Sequence, residues 1–217
     1  MPARPPLSPA RIVEAAAEVA DSGGLTAVSM RHVGKALGVE AMSLYHHVSS
    51  KEALIDALVE WLYAQLYRPD SDQPWRTEMA LRAQVARTVL LAHPWGLGLI
   101  ESRRRPGPEV LGHHESVLAC LRGNGFTVAQ AAHAFSVLDA YVFGFVLTEL
   151  SLPIQDATDA TEMAAEMALD PADYPHLVEM MVGYVMAQDY TYAGAEFEHG
   201  LELILDALAS RLAVPAR

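Results

Sequence analysis

Apolar residues in this chain recur at spacings of three and four along most of its length, and no stretch alternates apolar with polar residues. That pattern winds an apolar stripe around a 3.6-residue period and gives a strand no inward face, so the chain is read as all-α. With 52% of its residues hydrophobic it can bury those stripes in a core, which argues against global disorder.

Breakers divide the pattern. Ser8 caps a first helix with Pro9 at its first position, Ile12, Val13, Ala16, Val19 and Ala20 form its stripe, and Gly23-Gly24 ends it. A short helix follows from about Ser29 to Leu37, Gly38 breaks the chain, and a very short one runs from Ala41 to His47. Ser49-Ser50-Lys51-Glu52 has the spacing of a capping box and opens a long stripe through Leu54, Leu58, Leu62 and Leu66. Further helices are predicted over 74–93, 108–124, 127–152, 175–188 and 193–212, with 153–173 an acidic, alanine-rich loop holding a fragment of helix. The polar, proline-bearing stretch 68–74 marks a joint. The expected division is therefore a head over 1–50, a connecting helix over 51–70 and a larger helical body over 71–217.

The head is the informative part. Helix, glycine turn and short second helix make the helix-turn-helix pattern, whose second helix enters a DNA major groove. Val33, Leu37, Val39 and Leu44 are its expected core, while Arg31, Lys35, Ser43, Tyr45, His46, His47 and Lys51 are donors on its outside. The chain carries a net charge of -12, which excludes a broad basic coat. From Leu25 to Lys51, however, Arg31, Lys35 and Lys51 face one acid, Glu40, leaving a local excess of positive charge suited to phosphate.

The run from Gly38 to Val48, with Leu44-Tyr45 inside it, followed by Ser50-Lys51-Glu52-Ala53-Leu54, resembles the tetracycline-repressor (TetR) family of transcriptional regulators. The resemblance implies double-stranded operator DNA as partner and a homodimer that matches a palindromic site. It implies that Arg31 reaches a base edge, and that Ser43, Tyr45, His47 and Lys51 grip phosphates. Ala41 and Met42, apolar here, are left to touch thymine methyls; His32 and His46 are expected to face solvent.

Two stretches of the body resemble the tetracycline-repressor subgroup: Leu90 to His93 on through Asn124-Gly125-Phe126 to Leu147, and Phe197 to Ile204. They imply a scaffold in which two helices per subunit build a four-helix dimer interface. Phe197, Leu201, Ile204, Leu205, Leu208 and Leu212 share one face of the last helix, and Phe135, Leu138, Val142 and Phe145 share one face of the 127–152 helix. In the subgroup's metal–drug site this chain places Tyr67, Arg82, Ala86 and Val117 where four ligand-binding side chains stand, and Ile100 near the metal-coordinating histidine. Those departures point away from tetracycline with magnesium and toward a small-molecule effector that is largely apolar. Tyr67, Trp95, His114, Val117, Tyr141 and Phe145 are the candidates to line its pocket, each with plain core packing as the alternative.

No cofactor and no metal site is expected. His113 and His114 are adjacent on a helix and diverge by about 100°, unlike a chelating i, i+4 pair, and His93 before Pro94 is placed to complement helix-end carbonyls. Arg103-Arg104-Arg105 is read as a basic loop. An enzyme is not expected, since there is no phosphate loop, H-E-x-x-H or nucleophile elbow. A DNA-binding dimer that senses nothing is the remaining alternative. Lone Cys120 excludes an internal disulfide framework. No apolar core follows Met1–Leu7, and the strictly apolar run 140–147 falls short of the roughly 20 residues a bilayer needs, so it is read as a buried helix of a cytoplasmic protein with no membrane partner.

Overall fold

The computed structural model describes residues 6–100, 105–152, 157–185 and 194–212, and among these the regular elements are helical. Arg103 and Arg104 of the expected basic loop lie outside the described residues. The chain forms two compact units, Met1–Phe135 and Ser136–Arg217.

In the first unit, α1 (Pro9–Ala27) starts where expected, with Ser8 Oγ accepting the Arg11 N–H. Its helical geometry breaks at Gly23-Gly24, as expected, and a short further turn follows. Gly24 takes φ 69° and ψ 178°, a conformation glycine adopts without a Cβ penalty, and the turn beyond it reaches Ala27. Helix α2 (Met30–Leu37) is capped by Ser29, whose Oγ accepts from the His32 N–H at 3.2 Å, and is closed by Gly38 at φ 63°. Helix α3 (Ala41–Leu44) is a single turn, shorter than the expected reach to His47; residues 45–47 continue as a turn closed by the His47 and Val48 N–H groups on the Leu44 carbonyl.

Helix α4 (Lys51–Tyr63) is capped by Ser50, whose Oγ accepts from Ala53 N at 3.1 Å. The expected Ser49/Glu52 capping box is therefore one residue out of register: Glu52 sits in the first turn, where its charge complements the helix dipole. The helix ends at Tyr63 rather than Leu66 because the chain turns there, Gln65 bonding Leu62 and Leu66 bonding Tyr63. Leu54, Leu58 and Leu62 are fully buried, each burial stabilising the unit by about 1.5–3 kcal/mol.

Helices α5 (Trp75–Ala92) and α6 (Pro108–Gly123) follow the sequence pattern closely. Between them Pro94 stops α5 and starts a 3-10 turn, Pro94–Gly98, that the apolar periodicity gives no sign of. Gly96 in that turn lies so close to α4 that a Cβ there would come within 2.7 Å of a Leu62 methyl. Glu60 of α4 accepts the Glu109 N–H at 2.8 Å in the first turn of α6, where free amides and the helix dipole favour a carboxylate.

Helix α7 (Val128–Ser151) crosses the division between the units. Within the second unit, Tyr141 donates to the carbonyl of Phe197 at 2.8 Å on α10 (Ala195–Leu212), and Phe145 packs edge-on to the Phe197 ring. Gly200 permits this approach: a Cβ there would fall 2.4 Å from the Tyr141 hydroxyl. Leu138, Val142, Val146, Phe197, Leu201 and Leu205 are buried, so both predicted stripes face inward in part. The expected loop over 153–173 contains more helix than a fragment, α8 (Ala157–Met167) with 11 residues. Helix α9 (Pro175–Met180) gives way to a π-helical turn, Met181–Val185, and the rest of the predicted 175–188 helix lies outside the described residues.

The expectation that the apolar run of α7 is buried needs correction. At 24 residues α7 is long and apolar enough to cross a membrane by length and composition, and only 33% of its most apolar window is buried within one chain. Val137, Leu147 and Leu150 stand exposed on it.

Candidate functional site

Two glycines build the head. Val39 donates its N–H to the Gly34 carbonyl at 2.9 Å, so the turn after α2 folds back against the helix it leaves. A Cβ on Gly34 would stand 2.9 Å from the Val39 oxygen and 3.3 Å from Ala41 N, so α2 and α3 approach this closely because position 34 has no side chain. Gly34 does not stand out in the sequence; its signal is a glycine inside an eight-residue helix, four positions before the turn glycine.

Under that turn Val33 and Leu44 are fully buried and Val48 nearly so. Burying Leu44 turns the rest of α3 outward: Met42 is 72% exposed and Tyr45 44% exposed, with Ala41 and Ser43 half-buried beside them. His46 and His47 are exposed, as are Arg31 on the first turn of α2 and Lys51 at the start of α4. Arg31, Lys35, Glu40 and Ala41 line one surface hollow, which brings the α2 cations beside the start of α3. His32 is exposed yet not idle, since its Nδ1 lies 2.7 Å from the Ala27 carbonyl at the end of α1. A short helix with an apolar tip, flanked by hydroxyl, imidazole and cationic donors, has the chemistry of a groove-reading element with phosphate grips on either side.

The head is tied to the helices that follow. Asp21 on α1 accepts through one oxygen, Oδ1, from Trp95 Nε1 at 2.6 Å, and the same oxygen lies 2.8 Å from His93 Nδ1. Trp61 of α4 stacks on Trp95 and meets the His93 ring edge-on. His93 thus serves α1 through a carboxylate rather than the helix-end carbonyls expected of it.

The six pocket candidates fall into separate groups. Tyr67 donates to Glu78 at 2.7 Å, a bond that, with burial, raises its phenol above the ordinary value; Glu78 also accepts from Asp70 N. Trp95 is held by Asp21, and Val117 is fully buried. In the second unit Tyr141 and Phe145 pack on Phe197. His114 belongs to an aromatic cluster, edge-on to Tyr63 and to Phe135.

Beside His114 lie two buried polar side chains: His113, whose spacing only excludes a chelating pair, and Arg82, which the resemblance puts at a ligand-binding position of the subgroup; nothing in the sequence joins the two. Arg82 and His113 are 5% and 2% exposed, and Arg82 Nε donates to His113 Nε2 at 3.3 Å. His113 lies on the buried stripe Val110, Val117, Cys120, Leu121 of α6, and Arg82 on the stripe Met79, Ala83, Ala86, Leu90 of α5. A polar residue on an apolar stripe was the available signal. Burial first, then the charges of Arg82, His114 and Arg68, lower the His113 pKa to about 3, so its ring is neutral.

Comparison with known proteins places this geometry. The family model for bacterial regulatory proteins of the tetR family matches residues 12–58, and that for the tetracyclin repressor-like C-terminal domain matches residues 68–212. An HTH-type transcriptional regulator of Saccharopolyspora erythraea is 32% identical over 92% of this chain and 89% of its own. The class A tetracycline repressor protein from transposon 1721 of Escherichia coli is 29% identical over 94% of this chain and 92% of its own. A crystal structure of the Streptomyces coelicolor TetR family protein ActR in complex with actinorhodin superimposes with a TM-score of 0.78 at 26% identity, covering 97% of this chain and 99% of that one.

Proposed function

Because the chain belongs to the tetracycline-repressor family of bacterial regulators, we propose that it is a repressor whose paired heads hold a palindromic operator until a small molecule releases them. It is a ligand-responsive, DNA-binding transcriptional regulator that works as a homodimer. The observation that carries the finer reading is the burial of Leu44 and Val48 beneath an outward-facing Met42 and Tyr45.

In this reading residues 1–50 are the DNA head, 51–70 the connecting helix and 71–217 the effector-binding and dimerising body. Arg31 reads a base edge; Ser43, Tyr45, His47 and Lys51 hold phosphates; Ala41 and Met42 meet thymine methyls. The exposed apolar side of α7 is the surface a second copy covers. Dimerisation sets two recognition helices roughly 34 Å apart, one turn of DNA, and a ligand that favours another spacing weakens binding by shifting the population. Within the first unit Tyr67, Trp95, His114 and Val117 remain the proposed lining for an effector that is largely apolar, and Tyr141 and Phe145 remain candidates within the second. The protein acts in the cytoplasm, as a regulator rather than an enzyme.

The test is selection of an operator from a random duplex pool, followed by binding with and without compounds that raise the melting temperature. A two-fold symmetric site, bound by a dimer and released by such a compound, is expected. Failure to enrich any sequence, or release by none of the stabilising compounds, contradicts the reading.

A further inference from the structure

Resting on the reading of the protein as an effector-released regulator, we propose that the effector carries an acidic oxygen on an aromatic body, and that the Nδ1–H of His113 takes this oxygen with the Arg82 guanidinium behind it. Arg82 always donates, so the His113 Nε2 facing it at 3.3 Å must offer its lone pair. The ring is neutral and carries one proton, which therefore sits on Nδ1. That nitrogen is enclosed and, among the described residues, has no hydrogen-bond partner. A donor left unmet in a core costs stability, so in a native protein it calls for an acceptor, which a bound ligand can supply.

The surroundings define that acceptor. Tyr63 lies 5.6 Å from the His113 ring and 5.8 Å from His114, His114 lies 5.2 Å from Phe135, and the Arg82 guanidinium lies 5.5 Å over Phe135. Aromatic faces from α4, α6 and α7 suit a flat ring, while a neutral N–H beside a buried cation suits an oxyanion. With Nε2 engaged by Arg82 and Nδ1 protonated, His113 offers no lone pair to a metal, so recognition needs no chelated cation at this residue. Since Nδ1 is enclosed, an arriving oxygen displaces a neighbouring ring. Tyr63 is the last residue of α4, the helix whose first residue is Lys51, so that displacement reaches the DNA head.

The test uses the full-length protein in EDTA with matched probes: 2-naphthoate against 2-naphthamide, and anthraquinone-2-carboxylate against its carboxamide. At least one acid is expected to raise the melting temperature and to bind about tenfold more tightly than its amide, and His113→Phe to erase that preference. Nitrogen-15 labelling of histidine gives an independent readout in the unmutated protein, in which the Nδ1–H proton of His113 moves downfield on adding the acid. No stabilisation by either acid up to about 1 mM, equal binding of the amides, a preference that survives His113→Phe, or an unmoved Nδ1–H overturns the inference. If the selected operator is still bound in that case, the inference alone falls; if no operator is bound, the regulator reading falls with it.

Discussion

Trp95 donates its indole N–H to Asp21 across 2.6 Å, joining the turn after α5 to the first helix of the DNA head through one carboxylate oxygen. His93 engages the same oxygen at 2.8 Å, and Trp61 of α4 packs against both rings. The head and the turn after α5 thus share one polar anchor, and the connecting helix packs a ring against it. Asp21→Ala leaves the indole N–H of a nearly buried tryptophan without its acceptor, and a loss of about 1–3 kcal/mol is expected in denaturant unfolding. The drop in operator affinity on adding effector should shrink in the same variant. An unchanged unfolding midpoint together with an unchanged effector response would remove the anchor's role.

Gly34 sets how closely α3 approaches α2. Gly34→Val forces a side chain toward the Val39 oxygen, a backbone atom that cannot swing aside, and overpacking of this kind costs about 1–3 kcal/mol. Operator binding should fall more than stability does, because α3 is displaced even in molecules that stay folded. Circular dichroism melting beside fluorescence anisotropy on operator DNA separates the two.

His113 makes stability depend on pH in a defined direction. Its pKa is near 3 in the folded chain and near 6.5 when unfolded, so between these values the unfolded state binds the extra proton. Stability therefore falls as pH drops below 6.5, at up to about 1.4 kcal/mol per pH unit from this group. Between pH 6.5 and 5 the unfolding free energy of His113→Phe should slope less steeply than that of the unmodified protein, and parallel curves would refute the assignment.

Cys120 is fully buried, and burial, followed by the charges of Glu78 and Asp70, pushes its thiol up to about 11. Only the thiolate attacks thiol reagents, so native protein at pH 8 should react far more slowly than protein unfolded in guanidinium. A stoichiometric reaction within seconds in the native state would contradict the packing of α6.

How much of this was legible in the sequence depended on what each residue does locally. Ser8, Ser29 and Gly38 announce helix ends because capping and left-handed turns use the nearest backbone groups, and all three hold those places. Ser50 took the cap that the Ser49/Glu52 spacing assigned one residue earlier, since two adjacent serines fit equally well before tertiary contacts choose. Pro94–Gly98 was not legible, because its register is set by close approach of Gly96 to Leu62, far away in sequence. The outward residues of α3 followed from Leu44 pointing in, whereas the Arg82–His113 pair did not, because a polar residue on an apolar stripe gives no notice of its partner. Asp21, a polar residue near a helix end, gave no sign of reaching Trp95 for the same reason.

In the proposed function a locally cationic head presents α3 to a DNA groove, and the salt dependence of operator affinity tests that placement most directly. Affinity should fall linearly on a log–log plot with rising salt. Lys51→Ala should reduce that slope by roughly one phosphate contact per head, and Arg31→Ala should cost about 1–3 kcal/mol and relax selection at one base pair of each half-site. Affinity for the selected operator that is indifferent to salt and to both substitutions would contradict it.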